Sequence, residues 1–167
     1  RYPDKIDISL WDVSNVRDMS CMFNRYDNFN CDLSRWNVSK VEDMSSMFDG
    51  CFKFTSDLSK WNTSSVRNVR CMFQNCNNFN SDLSKWDVHN ITNMYGMFTG
   101  CAKFNSDLSN WNVSRVKNAS FMFEGCVNFS CDLSRWNVRN ISNMTSMFCH
   151  CTSFKSDLSK WNVSKVR

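Results

Sequence analysis

At 167 residues with 42% hydrophobic side chains the chain can bury a sizeable core, but four glycines, one proline and an even composition leave no place for an interdomain linker. Twenty Lys and Arg against sixteen Asp and Glu leave a formal charge of +4 with both signs spread along the chain, a bias too mild to call for nucleic acid or another acidic partner. There is no apolar run of about 18 residues, so no membrane-spanning helix is expected. Residue 1 is arginine and no leader sequence is recognisable, as expected of a processed or truncated chain.

In chain order, the fragment RYPDKI (1–6) fits the return loop of a 25-residue frame, and the frame then runs without insertion or deletion. Trp11, Trp36, Trp61, Trp86, Trp111, Trp136 and Trp161 are each 25 residues apart. A fixed period of this length is the signature of stacked repeats, none of which can bury its apolar face alone. The chain therefore reads as one uncapped domain, 1–167: a partial coil at 1–6, six complete coils at 7–156, and a partial coil at 157–167.

Each unit reads as two elements. In the second coil Leu33, Trp36, Val38 and Val41 suggest a short strand with Trp36 and Val38 inward and Asn37 outward. Val41, Met44, Met47, Phe48 and Cys51 then follow at steps near three, which predicts a helix of about ten residues ending at Gly50. Phe54 anchors the return loop.

The word DLSKWNVS.V..M..MF..C..FN resembles the BspA-like surface-protein repeat, a relative of the leucine-rich repeat. The resemblance covers essentially the whole chain, with few departures: Thr63 for the valine, Val69 and Ala119 for the first methionine, Tyr26 for the loop cysteine. It implies an α/β repeat solenoid, a right-handed leucine-rich-repeat-like stack in which each coil is a short strand plus a short helix. It also implies a secreted or cell-surface location and no enzymatic activity.

The recurring positions stack into ladders. The tryptophan and phenylalanine columns are expected to be core, because they alternate with polar residues. The column Asp7, Asp32, Asp57, Asp82, Asp107, Asp132 and Asp157 would repel itself unless neutralised locally. The Asp-x-Ser spacing allows each carboxylate to accept backbone N–H groups, and Arg35, Lys60, Lys85, Arg135 and Lys160 follow three residues later. Of ten cysteines, Cys51, Cys76, Cys101, Cys126 and Cys151 form one ladder, with pairs such as Cys51 and Cys76 within disulfide range if strands stack. Cys21, Cys31, Cys71, Cys131 and Cys149 fall where sister units carry Ser or another small residue, and are candidates for disulfides with a neighbouring coil or chain. Cys149-His150-Cys151 offers half of a zinc site and no second half, so no metal and no cofactor is expected.

Nine Asn-x-Ser/Thr words mark glycosylation candidates at Asn37, Asn62, Asn90, Asn112, Asn118, Asn128, Asn140, Asn143 and Asn162. No Ser-His-Asp or paired-acid constellation stands out from the repeat, and the two histidines occupy unrelated positions, so the chain is not expected to be an enzyme. Two functions remain. The first is an extracellular or cell-surface structural subunit that polymerises with itself, head to tail, into a filament or layer. The second is an adhesion module that uses the strand face to bind a glycan or a surface protein. In the first, the end strands with Ile8, Trp11 and Val13 at one end and Leu158, Trp161 and Val163 at the other pair across the junction, giving an axial repeat of about 33 to 34 Å at strand spacing.

Overall fold

In every 25-residue unit the chain turns at points where a backbone N–H donates to the carbonyl three residues earlier. The computed structural model describes residues 7–167; the fragment 1–6 expected to form a return loop lies outside them. In the second coil such bonds run from Trp36 to Leu33 (3.1 Å), Val41 to Val38 (2.9 Å), Met47 to Met44 (3.3 Å), Cys51 to Phe48 (2.9 Å) and Phe54 to Cys51 (3.0 Å). The residues that open and close these turns are the apolar ones, so each turn places two side chains inward. The result is a stack of coils at 7–31, 32–56, 57–81, 82–106, 107–131 and 132–156, followed by 157–167.

This overturns the strand-plus-helix coil and, with it, the leucine-rich-repeat-like reading. Among the described residues there is no helix, and the pairing is limited to isolated parallel bridges joining Asp18, Asp43, Asn68, Asn93, Asn118 and Asn143 in succession. The expected helix fails for a backbone reason. An α-helix needs each N–H to reach the carbonyl four residues back. Here the N–H groups of Met44, Ser46, Phe48 and Gly50 instead cross to Asn68, Arg70, Met72 and Gln74 of the next coil, at 2.8–2.9 Å. The alternation is held by left-handed residues at two fixed places per coil, Ser46 (φ 51°) and Gly50 (φ 78°) in the second. An apolar step of three residues fits a helix face and a chain of β-turns equally well, and only the backbone decides between them. The expected strand at 33–38 is likewise two turns meeting between Trp36 and Val38, and the axial-repeat figure that rested on paired strands falls with it.

The core is a set of columns running along the stack. Phe48, Phe73, Phe98 and Phe123 stack with centroids 5.6–5.7 Å apart and planes within 8°. A second column, Phe54, Phe79, Phe104 and Phe129, follows at 5.8–6.0 Å and leans on the first at 4.1–4.2 Å within each coil. These rings are fully buried, as are Leu33, Leu58, Leu83, Leu108 and Leu133 and most of the methionines, and the central tryptophans are 3–4% exposed. At the stack ends Ile8 and Val13 are buried and Trp11 is 47% exposed, while Leu158 and Trp161 are half-buried and Val163 is 50% exposed.

Candidate functional site

The inward columns carry their own hydrogen-bond chemistry. Each tryptophan from Trp36 to Trp161 donates Nε1–H to the carbonyl 28 residues earlier, as Trp61 does to Leu33 at 3.0 Å. That carbonyl already accepts the Trp36 turn bond, so both lone pairs are used. The thiols of Cys51, Cys76, Cys101, Cys126 and Cys151 behave alike, each pointing Sγ at a phenylalanine carbonyl 28 residues back at 2.8–3.1 Å. Burial pushes these thiols up, Cys51 to about 12 and Cys151 to about 11, so the nucleophilic thiolate is suppressed.

All ten cysteines are free thiols in the structure, with no disulfide joining one coil to the next. Cys51 and Cys76 each face a carbonyl rather than each other. Cys131 sits where Ser56, Ser81, Ser106 and Ser156 accept a leucine N–H through their hydroxyls, and it accepts the Leu108 N–H at 3.1 Å in the same way. Cys31, at the same position, is half-buried, as is Cys149. Cys21 is exposed and Cys71 buried, both at left-handed positions.

Outward, the recurring polar residues are spent on the backbone. In all seven Asp-x-Ser steps the carboxylate accepts the N–H two residues on, at 2.9 Å. These bonds, more than the neighbouring cations, hold the aspartates below the usual carboxylate range. Two further caps per coil follow the same rule. Asn37, Asn62, Asn112 and Asn162 accept the N–H of Ser39, Ser64, Ser114 and Ser164. Asn118 and Asn143 accept those of Ser120 and Thr145. Aspartate does the same work at the equivalent places Asp12, Asp87, Asp18 and Asp43. Six of the nine Asn-x-Ser/Thr words are therefore turn caps in which Asn and Asp interchange, which explains their excess without a glycan. Asn90 and Asn140 donate Nδ2–H to Ser64 and Ser114 carbonyls, while Asn128 is exposed in the return loop.

Among the described residues no three potential metal-ligating side chains converge. The ion pairs there are Arg17–Glu42 (2.6 Å), Arg67–Glu42 (3.7 Å) and His89–Asp87 (2.7 Å). A shallow polar trough runs along one flank past Asp107, Cys131, Asp132, Arg135 and Lys160. An apolar depression on the last coil is lined by Met147, Phe148, Leu158, Trp161 and Val163.

One patch departs from the repeat and was missed by reading only core positions. At two adjacent outward positions, where other coils carry mostly Ser, Thr, Cys or Gly, consecutive coils present Arg70, Tyr95 and Phe121. The Arg70 guanidinium lies 5.0 Å over the Tyr95 ring, which meets Phe121 edge-on at 5.5 Å. The departures from the consensus word were the available signal.

The family described as Mycoplasma protein of unknown function, DUF285, matches residues 3–101 and again 79–167. No curated protein and no solved structure matches the chain. The chain belongs to the DUF285 family.

Proposed function

We propose that this member of the DUF285 family is a non-enzymatic structural subunit, a stiff stack of coils that associates end to end with further coils of the same word, supplied by copies of itself. The observation that supports this reading is the self-complementarity of the coil faces. Every column repeats at 25 residues, so any coil offers a neighbour the same rings, the same free carbonyls and the same N–H donors that its own chain uses. Within the stack the equivalent residues Phe123, Leu133 and Trp136 are buried, with Phe148 and Trp161 of the next coil stacked on the two rings. The likeness of the word to BspA-like surface repeats supports a place outside the cell or at its surface.

Light scattering and negative-stain microscopy of the purified chain test this. Concentration-dependent rods or fibres are expected, and Trp161→Arg with Leu158→Asp should shorten them, because unpaired charges would then be buried at the junction. A monodisperse monomer of 19.6 kDa at high concentration would sink the proposal.

A further inference from the structure

The flank that carries Arg70, Tyr95 and Phe121 combines half-buried rings with positive charge. In the three central coils, residues 65–71, 90–96 and 115–121 contain no Asp or Glu but carry Arg67, Arg70, Arg115 and Lys117. At its edge Glu42 is shared between Arg17 and Arg67, one carboxylate against two guanidiniums. The flank is therefore cationic although the chain as a whole is nearly balanced.

The aromatic residues in this flank are not explained by packing. Arg70 is exposed, and Tyr95 and Phe121 are half-buried, outside the buried columns. Phe121 occupies a left-handed backbone (φ 60°) that the equivalent coils fill with Cys21, Ser46, Cys71, Gly96 and Ser146. A bulky ring at such a position is strained, and strained outliers concentrate where a chain does work. Beside the rings, Asn93 and Asn118 are fixed by accepting the Tyr95 and Ser120 N–H groups, and their Nδ2 groups donate to no protein acceptor among the described residues.

From this we infer that the Arg70–Tyr95–Phe121 patch binds an acidic glycan, a chain of sugar rings bearing carboxylates. A sugar presents a C–H face that packs against aromatic rings and hydroxyls that accept from the Asn93 and Asn118 amides. Its carboxylate meets the guanidinium fork of Arg70, which binds such groups through two parallel hydrogen bonds, and the Lys117 ammonium adds attraction from the next coil but one. Three side chains and two amides make a small patch beside the roughly 20 to 30 residues a side, about 800 Å², that a stable protein interface engages. Single-stranded nucleic acid needs open ring faces on which successive bases stack, whereas one face of Tyr95 is covered by Arg70. The assignment does not depend on end-to-end stacking and stands or falls separately.

Calorimetric titration with oligosaccharides of hyaluronan and of polysialic acid tests it, with neutral cello-oligosaccharide and oligodeoxythymidine as comparisons. The wild-type chain should bind at least one acidic glycan, and at least tenfold more tightly than the neutral chain. Tyr95→Ser and Phe121→Ser each restore a residue that sister coils carry at the same position; each should weaken binding at least tenfold without lowering the melting temperature. Phe121→Gly should raise the melting temperature while losing binding, a split that a merely structural ring would not give. The proposal is overturned if neither acidic glycan binds, if oligodeoxythymidine binds more tightly than both, or if the serine variants bind as the wild type does.

Discussion

Trp86→Ala should cost about 3 to 5 kcal/mol of unfolding free energy, measured by denaturant titration. The ring is 4% exposed, stacks on Trp61 at 6.2 Å and touches Phe73 at 6.1 Å, so truncation opens a cavity in the middle of the stack. The Nε1–H bond to the Leu58 carbonyl is also lost, but that carbonyl keeps the Trp61 N–H, so no buried acceptor is orphaned and the cavity dominates. Trp11 supplies the contrast. At 47% exposure the same change there should cost about 1 kcal/mol or less, and equal effects at both sites would refute the burial pattern.

Gly100→Val should cost about 2 to 4 kcal/mol by the same measurement, through backbone rather than cavity. Gly100 has φ +75°, and a Cβ added there would stand 2.8 Å from Asn75 Oδ1 in the coil below. Asn75 itself holds the equivalent left-handed position, as do Arg25 and His150, so straight side chains are tolerated at this step. A β-branched residue is not, because it is the type least suited to positive φ. A neutral Gly100→Val would mean that the coil does not turn there as described.

How much of this was readable from the sequence depends on which physical signal each feature leaves. The period, the coil boundaries and the inward columns are legible because they follow from identity at 25-residue spacing, and Trp36, Phe48, Phe54 and Cys51 are buried as their repetition suggests. The Asp-x-Ser caps are legible too, since the carboxylate and the N–H it accepts lie two residues apart. The path of the backbone between the columns is not. Met44, Met47 and Phe48 keep a helical spacing while Ser46 takes a left-handed conformation, and serine gives no local sign of it. Gly50 has the signature of a helix end, but it is one of two left-handed steps in a coil that has no helix. The thiol ladder looked like disulfide material because spacing alone does not show that each Sγ is directed at a carbonyl 28 residues away. At Asn37 and Asn118 the sequon and the turn cap share one spelling, so the sequence alone does not separate the two roles. The Arg70–Tyr95–Phe121 patch was legible in principle, as three departures at neighbouring positions of the word, but its meaning needed the three side chains placed together in space.

The claim on which the rest stands is that each coil is built from β-turns and left-handed steps, with no helix. Far-ultraviolet circular dichroism of the folded chain addresses it most directly. The account predicts a spectrum without the paired minima of the α-helix, lost in a single cooperative melt; a helical signal matching about ten residues in each coil would contradict it.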